Sequence, residues 1–271
     1  KKYQSDLKAS WDKFVSKSEN ATFLFYRDYM DYHSDRFEDF SVLIYVNKSI
    51  VGLIPANRSK NTVYSHQGLT YGGLLLENFD VVFAKEIMTA VEKFYKDNGV
   101  IDFQLKSFPS SYPQFQSIPI SSFFKNSKSK IITTHKSLAI DYSKGVKIHK
   151  TKLKHQRKGL DCGLEIRLDN DFKTFWTAVL TPMLKDRFQT KPVHSLEEIE
   201  QLHSFFPDKI LQFNVYLQDK ILGGITIYNK GAVVKSQYSA TTLEGQNNYA
   251  IDVLFLYLIE YYKNSGTQFF C

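Results

Sequence analysis

The sequence is poor in cysteine and has no long apolar run. Its 271 residues include two cysteines, Cys162 and Cys271, too few for a disulfide framework or a four-cysteine metal site. No apolar segment approaches the roughly 20 residues that a membrane-spanning helix needs. Residues 1–3 are not followed by the apolar segment of a signal peptide. We therefore expect no transmembrane segment and a cytoplasmic location.

The motifs of several common enzyme classes are also missing. The chain has no Gly-x-x-x-x-Gly-Lys-Ser/Thr phosphate loop, no Gly-x-Ser-x-Gly turn and no His-Glu-x-x-His motif. Its seven histidines show no metal-ligand spacing, so no metal site is predicted. These absences argue against a P-loop nucleotide hydrolase, an α/β-hydrolase and a zinc peptidase.

Positive charge is in excess. The formal net charge is +7 and the sequence pI is near 9.1. Between Asp141 and Asp161 there is no acidic residue, and the cations there equal the whole excess: Lys144, Lys147, Lys150, Lys152, Lys154, Arg157 and Lys158. Such a run is usually a solvated helix face, but without counter-charges it favours an anionic partner. We expect Lys154 and Arg157 to bind an anionic small molecule or a sugar nucleotide.

Two stretches of the chain share one pattern. Residues 44–54 align with 215–225 at an offset of 171, with Tyr, Ile, Gly and Ile in register. In each copy, two strands joined by a tight turn precede a third strand, an amphipathic helix ending at Gly, and a further strand. A duplication predicts two similar domains, 1–134 and 135–271. The alternative is a chance resemblance between two hairpins.

This order of elements resembles the GNAT acyltransferase unit, and two such units in tandem resemble the FemAB-like branch. The string Lys-His-Gln-Arg-Lys-Gly-Leu at 154–160 is similar to the branch's basic helix, and 211–271 to its C-terminal segment. The branch contains peptidoglycan aminoacyltransferases and bacterial acyltransferases of cell-envelope polysaccharide. The resemblance implies an α/β fold of two tandem GNAT-like domains, with mixed sheets flanked by helices.

The same resemblance implies an acyltransferase. It would move an acyl group from acyl-CoA to an amine or hydroxyl of a sugar or cell-envelope precursor. One alternative is an aminoacyl-tRNA-dependent peptide ligase of the same fold. The coiled-coil arm of some peptidoglycan members has no counterpart here, which makes tRNA the less favoured partner. Another alternative is a tandem domain that binds an anionic glycan or nucleic acid without catalysis.

The acyl-CoA site follows from the same resemblance. In GNAT enzymes the donor's pyrophosphate lies on the N-terminus of the helix after the third strand, where backbone N–H groups and the helix dipole attract anions. The matching residues here are Gly245, Gln246, Asn247 and Asn248. The string keeps Gln and Ala250 of the Gln/Arg-x-x-Gly-x-Gly/Ala fingerprint but has Asn in place of Gly. An ordinary helix cap is an equal alternative.

A glycine-rich string at 65–73 contains the first candidate catalytic residues. Glycines let the backbone approach a ligand, and His66 and Tyr71 are able to move protons. Gln67, between them, is a candidate substrate contact. Gln237 and Tyr238, on the corresponding strand of the second copy, are candidate substrate contacts as well. The alternative is a glycine-rich turn with a hydrogen-bonded histidine.

A loop at 186–195 supplies the remaining candidates. Arg187 and Lys191 can clamp a phosphate or carboxylate, and His194 can act as a base. In the FemAB-like branch this loop lies near the acceptor, and the alternative is a plain loop with a capping serine. We expect direct attack of an acceptor, deprotonated by His66 or His194, on an ester or thioester carbonyl, with backbone N–H groups stabilising the oxyanion.

Overall fold

The computed structural model describes residues 1–78, 80–109 and 129–271. The chain divides into two units, Lys1–Ser137 and Leu138–Cys271. The sequence predicted the division after residue 134, three residues before the division that the structure shows. Most of the irregular connection predicted at 107–134 lies outside the described residues. Within the described ranges, no helix is long and apolar enough to cross a membrane.

The described part of the first unit has a four-stranded sheet and a separate hairpin. Its elements are α1 (Lys8–Val15), α2 (Arg27–Asp31), β1 (Glu38–Asp39), β2 (Val42–Val46), β3 (Ser49–Ile54), β4 (Asn57–Ser59), β5 (Thr62–Tyr64), α3 (Val81–Asp97) and β6 (Asp102–Gln104), with 3-10 turns at Ser5–Leu7 and Phe23–Phe25. The sheet has the order β1-β4-β5-β6, and only β5 and β6 run parallel. The hairpin pairs β2 with β3.

Helix α3 supplies much of the core of the first unit. The Asp80 side chain accepts the Phe83 backbone N–H at 2.7 Å and so begins the helix. Ile87 and Val91 belong to an apolar stripe that is buried against the strands. Gly99 follows the helix with φ +73°, a conformation that glycine adopts without strain. The helix was predicted at 79–98, and residue 79 lies outside the described residues.

The second unit has one six-stranded sheet. Its elements are β7 (Ile140–Asp141), α4 (Lys150–Asp161), β8 (Leu164–Leu168), α5 (Phe172–Phe175), α6 (Thr181–Phe188), α7 (Leu196–Phe205), β9 (Ile210–Leu217), β10 (Lys220–Asn229), β11 (Val233–Thr241), α8 (Leu243–Asn247), α9 (Ala250–Asn264) and β12 (Phe269–Phe270), with a 3-10 turn at Tyr142–Lys144 and a π-helical turn at Trp176–Leu180. The order is β7-β12-β11-β10-β9-β8, and only β11 and β12 run parallel.

The two faces of this sheet differ in chemistry. Phe213, Val215 and Ile225 point to one face and pack against α9 in an apolar core. Gln212 and Asn214 alternate with these residues along β9 and are fully buried on the opposite face. Buried polar side chains in a sheet centre need partners, and they mark the face on which the candidate site lies.

Local geometry repeats at the offset found in the sequence. Asn47 and Lys48 join β2 to β3 with positive φ, as Gln218 and Asp219 join β9 to β10. This is the hairpin turn whose twist matches that of the strands. Each hairpin also has a register shift at the same aligned place, because Val51 of β3 and Leu222 of β10 are each left without a partner in the ladder. Hairpin, helix and terminal glycine therefore occur in both units, as predicted.

Two predicted helices in the second unit have different bounds. The basic helix was predicted at 143–160, but α4 begins at Lys150, because Gly145 has φ +73° and the His149 side chain caps the helix. The last helix was predicted at 247–264. The structure has α8 and α9 instead, separated by Asn248 and Tyr249, of which Tyr249 is left-handed at φ +60°.

Candidate functional site

A β-bulge in β11 positions the candidate site. Tyr238 pairs with Thr226 of β10 and Ser236 pairs with Ile227, so Gln237 is the extra residue on β11. A bulge leaves its extra residue out of the ladder and re-aims the side chains around it. The two predicted substrate contacts on this strand, Gln237 and Tyr238, thus lie at an irregular point of the sheet.

His194 reaches the bulge from the loop before α7. Its Nδ1 lies 2.5 Å from the Tyr238 hydroxyl, and its backbone N–H donates to the same oxygen at 3.2 Å. His194 is 4% exposed. Ser195 and Glu198 form a capping box at the next residue, which holds the backbone of His194 in place. The structure therefore brings one predicted catalytic residue to one predicted substrate contact.

Trp176 fixes both members of this pair. Its indole N–H donates to the His194 carbonyl at 3.2 Å, and its ring meets that of Tyr238 edge-on, with centroids 5.1 Å apart. Trp176 begins the π-helical turn between α5 and α6. Such turns are frequent at functional sites. Sequence reasoning missed this residue, because a π turn has no simple sequence signal.

The hydrogen bonds assign the protons of the pair. The Tyr238 oxygen accepts the backbone N–H of His194, so we assign the phenolic hydrogen to the bond with Nδ1. Neutral His194 then carries its hydrogen on Nε2. Burial raises the pKa of Tyr238 to about 12, and the phenol stays protonated near neutral pH. The pair can pass a proton from Tyr238 to His194.

Gln237 adds an acceptor beside this pair. A hydrogen bond from its amide to the phenol lowers the pKa of Tyr238 and so offsets part of the increase that burial causes. Gln237 Oε1 is buried, and no group among the described residues donates a hydrogen bond to it. A buried acceptor without a donor costs about 1–3 kcal/mol. A substrate N–H or O–H bound at this point would remove that cost.

A row of polar side chains, buried except for the exposed Asp169, continues across the sheet from Thr226. Thr226 Oγ1 donates to Gln212 Oε1 at 2.6 Å, and Gln212 Nε2 donates to Asn214 Oδ1 at 2.8 Å. Asn214 Nδ2 donates to Asp169 Oδ1 at 2.8 Å, and the Tyr216 hydroxyl donates to Asp169 Oδ2 at 2.6 Å. We call these five residues the polar row. Its internal hydrogen bonds make it a rigid floor that ends beside Tyr238.

Comparison with known proteins places this geometry in a known fold. No family model and no curated protein matches the chain. The solved structure of FemX matches with a TM-score of 0.60 at 11% identity, over 100% of this chain and 87% of FemX. The chain has the tandem GNAT-like fold of FemX. The predicted fold class is confirmed.

Two further solved structures share the FemX-like fold. L-PGS from Bacillus licheniformis matches with a TM-score of 0.59 at 9% identity, over 97% of this chain and 74% of L-PGS. The C-terminal domain of a putative lysylphosphatidylglycerol synthetase from Agrobacterium fabrum matches with a TM-score of 0.53 at 9% identity, over 96% and 77%. Identities this low show the fold, and donor and acceptor have to be argued from the site.

The residues predicted to bind acyl-CoA lie in and just after α8 of this FemX-like fold. The Gly245 N–H donates to Thr242 Oγ1 at 3.0 Å, and the N–H groups of Gln246 and Asn248 donate within the same turn. A Cβ on Gly245 would lie 2.3 Å from the Leu222 carbonyl oxygen. The glycine therefore serves packing against β10, and these three N–H groups already have acceptors within the protein. Acyl-CoA binding by these residues and Asn247 stays a prediction.

The basic helix α4 packs on the first turn of α9. Asp252 accepts from Lys152 at 2.7 Å and lies 2.6 Å from His155 Nδ1. Burial opposes ionisation of Asp252, but these two partners outweigh it and lower the pKa of the carboxyl. The His155 ring stacks on Tyr249 with centroids 4.2 Å apart. Sequence reasoning missed Asp252, which anchors α4 and neutralises part of its charge.

The predicted anion contacts are all exposed. Lys154 and Arg157 lie on the outer surface of α4, and Arg187 lies in the last turn of α6. Lys191 lies in the loop that leads to His194, three residues from it in the chain. Anion binding by these four side chains stays a prediction.

The candidates of the first unit have different surroundings. Tyr71 is fully buried between Phe25 and Phe108, and its hydroxyl lies 3.1 Å from Thr22 Oγ1. His66 is buried at φ +69°, whereas Gln67 is exposed. Catalytic roles for His66 and Tyr71 and substrate binding by Gln67 stay predictions.

Burial makes His66 a source of acid sensitivity. Desolvation, and then the nearby His33, lower the pKa of His66 to about 3 in the folded protein, from an unfolded value of 6.5. The folded pKa is depressed, so the contribution to stability is full above pH 6.5 and falls as the pH drops towards 3. We expect the free energy of unfolding of the first unit to fall by about 2 kcal/mol between pH 7.5 and pH 5.

Fluorine NMR of 5-fluorotryptophan protein in urea measures this loss, because Trp11 reports the first unit and Trp176 the second. His66→Asn is the control, since Asn adopts the left-handed backbone and does not titrate. The variant should flatten the pH dependence of the Trp11 transition. An equal slope in both proteins would assign the acid sensitivity to other groups.

Proposed function

We propose that the protein transfers an acyl or aminoacyl group from an activated ester or thioester to a primary amine, acting in the cytoplasm. Tyr238 and His194 are the proton-transfer pair. The hydrogen bond between them at the bulge of β11 carries this proposal. The FemX-like fold supports the transfer of an aminoacyl group, because one structural relative is named for an aminoacylated product, lysylphosphatidylglycerol.

The proton path follows from the assigned hydrogen bond. As the acceptor nitrogen attacks the carbonyl carbon, its proton moves to the Tyr238 oxygen while the phenolic proton moves to His194 Nδ1. The carbon–oxygen or carbon–sulfur bond to the leaving group then breaks, and His194 returns the proton through Tyr238 to the leaving atom. Tyr238 never becomes a phenolate, so its raised pKa is no obstacle.

The two hydrogen-bond acceptors at the bulge, the Tyr238 oxygen and Gln237 Oε1, favour an amine over a hydroxyl as the attacking group. A neutral amine attacks with its lone pair and keeps two hydrogens, one for Tyr238 and one for Gln237 Oε1. A hydroxyl has only one hydrogen, which goes to Tyr238. Gln237 Oε1 would then still lack a hydrogen-bond donor, as it does among the described residues. An amino sugar or an amine of a cell-envelope precursor satisfies both acceptors.

The donor of the acyl group is proposed only as an activated ester or thioester. The α8 geometry gives no support for a coenzyme A pyrophosphate at residues 245–248, whereas exposed cations remain on α4. Acyl-CoA stays a candidate donor, and an aminoacyl-tRNA is the second. A sugar nucleotide remains a candidate for the anionic acceptor, since its phosphates would suit Arg187 and Lys191.

A ligand panel followed by a transfer assay tests the proposal. Thermal shift is measured with acetyl-CoA, palmitoyl-CoA, UDP-N-acetylglucosamine and bulk aminoacylated tRNA. Transfer is then followed from ¹⁴C-labelled acetyl-CoA and from tRNA charged with ¹⁴C-amino acids, with glucosamine or n-hexylamine as acceptor and n-hexanol as the hydroxyl control.

We expect one donor class to stabilise the protein and its label to appear on the amines and not on n-hexanol. No shift with either acyl-CoA would remove coenzyme A as the donor. Binding of a ligand without transfer from any donor would contradict the enzyme proposal and favour a binding protein.

A further inference from the structure

Helix α4 exposes two leucines beside its cations. The side chains of Leu153 and Leu160 are 45% and 51% exposed. They lie seven residues apart, which places them within about 20° of each other on the helix surface. Gly159, about 100° around the helix from Leu160, is on the anchored side, because a Cβ there would lie 2.5 Å from Val253. The leucines therefore lie beside the packed side of the helix as a half-exposed pair, fixed in place.

The cations of α4 flank this pair. Arg157 lies between the two leucines along the helix, and Lys150, Lys154 and Lys158 continue the outer surface. In the described part of the chain, the ion pairs of this helix go through Lys152 and His155 to Asp252 and leave those four cations unpaired. Their charge is therefore available to an external partner.

The leucines distinguish between possible anionic partners. A nucleic acid offers phosphates to lysine but would leave both leucines in water, and stacking of bases needs an open aromatic face. The aromatic ring of this surface, Tyr249, is stacked by His155 and has the Lys158 ammonium 5.7 Å from its centroid. An anionic bilayer meets both needs, because its headgroups attract the cations and its acyl boundary takes the leucines.

We propose that α4 docks flat on an anionic phospholipid bilayer, with Leu153 and Leu160 inserted at the level of the acyl boundary and the four cations at the headgroups. The long side chains of lysine and arginine reach headgroups while their methylenes cover apolar surface. The inference concerns the outer surface of α4 and is independent of the transfer chemistry at Tyr238.

Vesicle co-sedimentation of the full chain tests the proposal. The probes are vesicles of phosphatidylserine and phosphatidylcholine in equal parts, with pure phosphatidylcholine as the neutral comparison, at ~0.15 M salt. Phosphatidylserine tests surface charge without offering the phosphatidylglycerol headgroup named for a structural relative. We expect binding to the anionic vesicles and little to the neutral ones.

Two double variants separate the contributions. Removing two cations, in Lys154→Gln/Arg157→Gln, should weaken binding about 25-fold, since each basic residue near an anionic surface contributes about fivefold. Removing the apolar pair, in Leu153→Ser/Leu160→Ser, should weaken it about tenfold with no change in charge. Lys85→Gln/Lys93→Gln, which removes the same charge from exposed positions of α3, is the matched control and should bind like the parent.

Failure to bind anionic vesicles would overturn the proposal. So would binding that the leucine variant retains in full, which would leave a purely electrostatic contact. Displacement of the vesicles by bulk tRNA, with the leucine variant equal to the parent, would assign the surface to nucleic acid. Circular dichroism of each variant checks that α4 remains folded.

Discussion

Tyr238→Phe is expected to lower the transfer rate by about 10²–10⁴-fold, the usual range for loss of a proton-transfer group. The phenylalanine ring keeps the edge-on contact with Trp176. It cannot take the proton of the attacking amine or transfer a proton to His194. The free energy of unfolding should also fall by about 1–3 kcal/mol, because the backbone N–H and Nδ1 of the buried His194 both lose their bond to the hydroxyl. Single-turnover rates with the donor that stabilises the protein and with n-hexylamine measure the effect.

Two comparisons make this result specific. Tyr257→Phe is the same substitution on the 39%-exposed outer side of α9, and it should keep the parent rate. His194→Gln should be as slow as Tyr238→Phe, and the double variant no slower than either, because the two residues act as one unit. Additive losses would contradict a relay, and a full rate in Tyr238→Phe would remove Tyr238 from the mechanism.

The fold was predictable because its signals are local. The hairpin turns at 47–48 and 218–219 and the glycines that end α3 and α9 act within a few residues of sequence. Their recurrence at nearly one offset predicted two similar units, and hairpin, helix and terminal glycine follow in that order in both units. Turn geometry and helix ends depend little on the rest of the chain, so pattern reasoning reaches them.

The helix bounds that failed depend on distant contacts. Tyr249 breaks the last helix in a left-handed conformation, which costs energy for a non-glycine residue. His155 of α4 stacks on its ring, and that contact joins residues 94 positions apart. A propensity argument has no access to such a contact, so one continuous helix was the natural prediction for 247–264.

The candidate site was predicted residue by residue but not as an assembly. His194 and Tyr238 were each proposed, yet their hydrogen bond spans 44 positions and requires the bulge at Gln237. The polar row had a visible signal that was overlooked. Gln212 and Asn214 alternate with apolar residues in β9, as polar side chains do on one face of a strand.

Gly224→Ala should destabilise the second unit by about 3 kcal/mol. A Cβ at this position would lie 2.5 Å from Asn214 Oδ1, 2.7 Å from Gln212 Nε2 and 2.6 Å from Phe175 Cδ2. Overpacking costs about 1–3 kcal/mol, and breaking a buried hydrogen bond of the polar row costs about 1–3 kcal/mol more. The same displacement should slow transfer, because the row ends at Thr226, the strand partner of Tyr238.

Urea unfolding followed by the 5-fluorotryptophan signals locates the loss. The Trp176 transition should move to lower urea while that of Trp11 stays in place, since the two residues lie in different units. Gly52→Ala is the matched control, because its nearest contacts, at 3.2–3.4 Å, can yield by small shifts. An unchanged Trp176 transition in Gly224→Ala would show that β9 and β10 have room for a methyl group, and the polar row would then lose its proposed role as the rigid floor beneath Tyr238.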